Sequence, residues 1–168
     1  MSTRPLLKAR LWLMVGLALL SACAGHAPLP ERQPALSLPM QLHIQREQAG
    51  QRQDWLLVIQ QEQTSLRFSL LDPLGIPQAR QLLVEDRWQA DGLLPPNPAA
   101  RELFAALLFA LTPDEQLQRL YPGARRQGQQ RWLGERWRVD YRHADDFSLN
   151  LDRGLRYLVS PLPRETTP

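Results

Sequence analysis

The chain has 168 residues, 43% of them hydrophobic and 22% charged, a composition that suits one globular domain and excludes a disordered or fibrous protein. Its net charge of +3 is not spread over the molecule. Arg4, Lys8 and Arg10 precede Cys23 and no acidic residue does, so 20 basic residues less these 3 leave 17 against 17 acidic ones. A neutral body has little long-range attraction for phosphate backbones, which argues against nucleic acid as a partner.

Residues 1–10 are basic, Leu11 to Leu20 form an apolar run, and small residues follow. This is the layout of a secretory signal, and the run is too short to span a bilayer, which takes about 20 apolar residues. Leu20-Ser21-Ala22-Cys23 is similar to the bacterial lipobox, and Cys23 is the chain's sole cysteine. The resemblance implies removal of residues 1–22 and acylation of Cys23 as the lipid-attachment site. Each buried CH₂ of the acyl chains contributes about 0.8 kcal/mol, enough for several chains together to hold the terminus in its membrane. Ala24, where retained lipoproteins have Asp, implies the outer membrane, with the body facing the periplasm. An ordinary signal peptide with Cys23 as one more small residue is the alternative.

Residues 23–39 carry Pro28, Pro30, Pro34 and Pro39 and read as an extended tether without a core of its own. The folded body is expected over 40–162, with a polar tail over 163–168. From Met40 the apolar residues take a two-residue period. Leu42 and Ile44 alternate with polar neighbours, Trp55 to Ile59 is dense and β-branched, and Leu66, Phe68 and Leu70 alternate with Arg67 and Ser69. Leu82 to Val84 and Trp88 complete five predicted strands, with turns at Ala49-Gly50 and Gln61–Gln63. After residue 128 the period returns at Trp132, at Trp137, Val139 and Tyr141, at Phe147, Leu149 and Leu151, and at Leu155, Tyr157 and Val159. Asp152-Arg153-Gly154 supplies the last turn, with glycine available for a positive φ.

Pro95, Pro96 and Pro98 interrupt the strands, and Ala99 to Leu111 reads as a helix that Asn97 can cap, with Pro98 at its first position. Thr112-Pro113 ends it, and Asp114 to Leu120 forms a second, short helix. Leu103 to Leu111 contains no polar residue, whereas a helix on the outside of a sheet has a polar face. Three readings follow: solid core, a lid over a lipid-sized hollow, or a helix lying on a membrane. A sheet of some nine strands has more concave area than one helix covers well, which favours a leftover groove. Its expected lining is Trp55, Leu57, Ile59, Leu66, Phe68, Leu70, Leu103, Phe104, Leu107, Leu108, Leu111, Trp137, Val139 and Tyr141.

Catalytic signals are sparse. Cys23 is taken by the lipobox, and His26, His43 and His143 are too scattered for a zinc spacing. There is no Gly-x-Ser-x-Gly elbow and no phosphate-cradling glycine loop. His143 with Asp145 and Asp146 is explained more simply as a polar turn than as a metal site. Arg125, Arg126, Arg131, Arg136 and Arg138 form a basic cluster that could touch anionic headgroups, with a solvated face as its default reading. No enzyme activity, metal or cofactor is expected.

The order of lipobox, Pro-rich segment, strands, Leu71-Asp72-Pro73-Leu74-Gly75, further strands, the apolar stretch Leu103 to Pro113 and closing strands resembles the LolA and LolB lipoprotein carriers. It is closer still to a family of small lipoproteins with a LolB-like fold that recurs in aryl-polyene-type lipid biosynthesis clusters. The likeness covers roughly residues 40–160. It implies a mainly β (α+β) fold, an unclosed antiparallel half-barrel of about 9–11 strands with one or two helices over its concave face. It further implies a monomer that binds an acyl, polyene or lipoprotein-type ligand and helps deliver it to the outer membrane, with a periplasmic carrier protein as a partner. The leucine of the Pro-Leu-Gly step projects into the membrane in the LolB-like proteins, a part that Leu74 would play here with Ile76 beside it. A turn whose leucine folds back onto the core is the competing reading. The competing function is a non-catalytic interaction lipoprotein of an envelope complex with a filled core.

Overall fold

A computed structural model describes residues 27–162; the signal segment, Cys23 and the polar tail lie outside the described residues. Ten strands form one antiparallel sheet in the order β5-β4-β3-β2-β1-β10-β9-β8-β7-β6. Five precede the helices: β1 (Met40–Gln48), β2 (Gln51–Glu62), β3 (Ser65–Leu71), β4 (Pro77–Val84) and β5 (Arg87–Ala90). Five follow: β6 (Ala124–Gln127), β7 (Gln130–Leu133), β8 (Trp137–His143), β9 (Asp146–Asn150) and β10 (Arg156–Pro161). The first and last strands pair in the middle of the sheet, Ile44 opposite Val159, and β5 and β6 are left as unpaired edges. The sheet is therefore unclosed.

Alternation decides which side chains enter the core. Leu66, Phe68 and Leu70 of β3 are buried while Ser65, Arg67 and Ser69 between them are not. Cross-strand register carries the same face across the sheet: Leu70 lies opposite Leu57, which lies opposite Leu42. On the other side Val139 faces Leu149, and Leu149 faces Tyr157. β6 has no such alternation in Ala124-Arg125-Arg126-Gln127 and was not among the predicted strands; its pairing with β7 makes it one. The second turn also differs from expectation. β2 continues through Gln61 to Glu62, and Gln63, at φ 54°, begins the turn instead.

Helix α1 spans Pro98–Leu111 and helix α2 spans Asp114–Leu120. Asn97 caps α1, its Oδ1 accepting from the Ala100 N–H at 3.1 Å, and Pro98 occupies the first turn, where a missing N–H costs nothing. At the last turn the Arg153 backbone also takes positive φ, at 59°, beside Gly154 at 69°.

The segment before β1 has no helix or strand, as its prolines lead one to expect, yet it is not a free tether. Leu29, Leu36 and Leu38 pack against the core, and Pro30 and Pro34 are buried. The Gln33 side chain donates to the Thr64 carbonyl at 2.8 Å, and the Ala35 N–H donates to Gln116 Oε1 at 3.0 Å. Prolines prevent ladder pairing but not the burial of the leucines between them.

Candidate functional site

Antiparallel strands send alternate turns to opposite rims of the unclosed sheet. One rim carries the β3–β4 turn, the β7–β8 turn and the segment leaving β5; the other carries the β2–β3, β6–β7 and β8–β9 turns and the start of β1. Helix α1 begins at the first rim, where Glu102 pairs with Arg136 of the β7–β8 turn at 2.6 Å. It ends at the second, against Arg131 and Tyr141.

Over most of that length α1 is a plug. Every residue from Leu103 to Ala110 is at most 2% exposed. Phe104 stacks on Phe68 at 5.0 Å, with Trp88 against both. Further along, Phe109 packs between Tyr121 and Trp137 at 5.1 and 5.8 Å. The expected groove along the helix is thus occupied. Leu57, Ile59, Leu66, Phe68, Leu70, Leu103, Phe104, Leu107, Leu108, Trp137 and Val139 are core, Trp55 is half-buried against Tyr157, and of the expected lining only Leu111 and Tyr141 border a pocket. One helix does not cover this sheet by itself. The aromatic rings and the Leu29–Leu38 segment supply the missing volume.

The hollow lies instead beyond the end of α1. A pocket of about 600 Å³ opens at the second rim, within the size range of small-molecule sites. Leu36 and Met40 form one side, Ala110 and Leu111 the helix side, and Tyr141 to Asp145 the strand side; Asp114, Arg126, Gln129 and Arg131 complete it. Its polarity has a structural cause. The last carbonyls of a helix have no partner within the helix and carry partial negative charge, and α1 has no basic residue in its last turn. Arg131, only 3% exposed, supplies the donors from β7. Its Nη1 donates to the carbonyls of Phe109, Ala110 and Thr112 at 2.7, 3.2 and 2.8 Å, and its Nη2 to Asp114 Oδ1 at 2.7 Å. The guanidinium lies over the Phe109 and Tyr141 rings at 5.7 and 5.3 Å. The Tyr141 hydroxyl donates to the Ala110 carbonyl at 2.6 Å, and burial pushes its pKa up to about 12, against the opposing pull of Arg131.

The basic cluster is accordingly not one solvated face. Arg126 and Arg131 share a row with buried Val139, and Arg126 also pairs with Asp114. Arg136 and Trp137 Nε1 bind Glu102 at 2.6 and 2.7 Å. Burial alone would raise the Glu102 carboxyl, but those two bonds and the Arg136 charge outweigh it and hold its pKa below the usual value. Charge runs in the sequence hid this, because strand parity becomes readable only once β6 and β7 are placed.

At the opposite rim the β3–β4 turn holds Leu74 outward, 85% exposed, with Ile76 at 54%. The fold-back alternative is thereby excluded. Asp72 fixes the turn, its Oδ1 accepting from the N–H groups of Leu74 and Ile76 at 2.9 Å each. Leu93, in the segment leaving β5, is fully exposed at the same rim. It was missed because adjacent prolines marked that stretch only as a linker. Among the described residues these three are the large hydrophobics left exposed, no helix is long and apolar enough to cross a membrane, and no three of His, Cys, Asp and Glu gather as a metal site.

Compared with known protein families and with curated proteins, the chain matches none.

Proposed function

We propose that this protein is an outer-membrane lipoprotein, anchored through Cys23 and facing the periplasm, with a LolB-like half-barrel that receives an apolar chain of acyl or polyene type. The observation that carries the reading is the 600 Å³ pocket bordered by Leu36, Met40, Ala110 and Leu111. Those side chains are continuous with the core, so an apolar chain seated there gains further apolar contact. No covalent chemistry is required. Each CH₂ moved from water into such a site contributes about 0.8 kcal/mol, and the same amount is recovered on transfer to a bilayer, so loading and release are governed by relative affinity. Leu74, Ile76 and Leu93 at the far rim assist docking on the bilayer, leaving the pocket facing the periplasmic donor, a carrier protein.

The full-length lipoprotein, extracted in mild nonionic detergent and analysed by lipid mass spectrometry, is expected to retain an apolar lipid. Leu111→Asp, which places a charge in the pocket at a half-buried position, is expected to lose that lipid while remaining folded, with a modestly lowered melting temperature because Leu111 packs on the core and an acid is unfavourable at the end of α1. Lipid absent from the wild type, or equally abundant in both proteins, overturns the proposal. The second reading, a filled-core interaction lipoprotein, is favoured by the complete burial of Leu103 to Ala110 and is the conclusion if no lipid is retained.

A further inference from the structure

The concave side of this sheet is mainly apolar; Gln81 on β4, in the row of Phe68, and Arg46 on β1, in the row of Tyr157, are polar exceptions, and a further polar group gathers at the second rim. Along β8 the inward positions are Trp137, Val139, Tyr141 and, at the rim, His143; on β6 and β7 the same face carries Arg126 and Arg131. Cross-strand partners point to one side of a sheet, so Arg126 and Arg131 face the pocket because of register, not because of a surface accident. The need of α1 for donors accounts for Arg131. It does not account for Arg126, whose side chain is 41% exposed and shares Asp114 with Arg131; Arg142, 68% exposed at the opposite wall, is already held by Asp146 at 2.6 Å. Arg126, Arg131 and Arg142 border the pocket with Asp114, Asp145 and His143, and Asp146 just behind the lining holds Arg142. Asp114 is held by Arg131 at 2.7 Å, so it keeps a partner when Arg126 turns to another anion.

We infer that the pocket selects an amphiphile with an anionic head, a carboxylate or a phosphate, seated on Arg126 with its chain on Leu36, Met40 and Leu111. The inference rests on the proposed apolar-chain function and adds the class of head group. Guanidinium offers paired donors that match a planar carboxylate or a phosphate edge, and charge-assisted bonds of this kind are roughly twice as strong as neutral ones. The apolar wall on the other side lowers the local dielectric and strengthens them further.

Native mass spectrometry of the full-length lipoprotein in nonionic detergent tests this with three probes of equal chain length: palmitate, hexadecyl phosphate and hexadecanol. One or both anionic probes are expected to occupy the protein about tenfold more than the alcohol. Palmitate alone preferred identifies a free carboxylate as the head, and hexadecyl phosphate alone a phospholipid-type head. Arg126→Gln is expected to abolish the preference while leaving hexadecanol bound, and Arg126→Lys to keep most of it. Equal occupancy by all three probes, or a preference unaffected by Arg126→Gln, overturns the assignment of the head group and leaves the pocket reading standing. Binding of none of them overturns both.

Discussion

The two rims of the half-barrel solve opposite problems with the same helix. At the first, α1 starts with its own cap from Asn97 and a Glu102 tie to Arg136 and Trp137, and the space beneath is filled by Phe68, Trp88 and Phe104. What remains exposed there is apolar and points away from the body: Leu74, Ile76 and Leu93. At the second rim the helix ends inside the barrel, where its terminal carbonyls require donors, and Arg131 and Tyr141 provide them. Polar groups brought in for that purpose prevent tight apolar packing, and a pocket results. The contrast teaches that the hollow in this fold is set by where a buried helix stops rather than by how wide the sheet is.

The sharpest way to break the comparison is to place a charge on each part of the helix. Leu107→Arg buries a guanidinium without a partner at a site with no exposure. It is expected to cost several kcal/mol and unfold the domain, whereas Leu111→Asp lowers the thermal transition only modestly and leaves the domain folded. Circular dichroism on heating distinguishes the two; equal stability of both variants contradicts the plug.

Arg131→Met is expected next in size. It removes the donors to three carbonyls and leaves Asp114 with Arg126 alone, a loss of about 3 kcal/mol that lowers the denaturation midpoint without abolishing the fold. An unchanged midpoint means that the carbonyls of α1 find other partners.

The exposed rim predicts a smaller effect, on membrane affinity alone. Full burial of the two leucine side chains contributes about 3–6 kcal/mol and insertion to half that depth about 1.5–3 kcal/mol, so Leu74→Ser with Leu93→Ser is expected to weaken binding of the non-acylated Cys23→Ser protein to phospholipid vesicles by roughly one to two orders of magnitude. Stability does not change, because neither residue packs on anything. Unaltered vesicle binding in a flotation assay removes the bilayer from this rim.

The Glu102 cluster gives the smallest effect and a pH dependence. Its carboxyl is held below its ordinary pKa in the folded protein, so the stability it contributes is present above the unfolded value and is lost as pH falls through the depressed folded one. Glu102→Gln is expected to lower stability by about 1 kcal/mol at neutral pH and to flatten the acid limb of the stability profile. An identical acid limb in variant and wild type contradicts the link.

Much of the fold was legible in the sequence because two periods do not resemble each other: alternation marks β1 to β5 and β7 to β10, and the run Leu103 to Leu111 marks a helix without a solvated face, though not whether it is core, a lid or membrane-lying. Asn97 and the prolines placed the start of α1 to within a residue. β6 was not legible, since Ala-Arg-Arg-Gln has the pattern of a loop and becomes a strand only through β7. The site was legible in its parts but not in its place. Leu111 and Tyr141 were among the expected lining residues, but Leu36 and Met40 belonged to a tether and the first strand, and Arg131 to a solvated cluster. Which inward-facing residues are filled and which are left open depends on aromatic rings meeting across sequence separations of tens of residues, and no local pattern records that.

The central claim is that an apolar chain enters beyond the end of α1 and nowhere along it. A fatty acid carrying a diazirine near its methyl end, photolysed with the full-length lipoprotein and mapped by peptide mass spectrometry, tests it directly. The expected cross-links fall on Leu36, Met40, Leu111 and Tyr141. Cross-links confined to the outer face of the sheet, at His43, Val58 or Leu158, or to Leu74 and Leu93 alone, contradict the account.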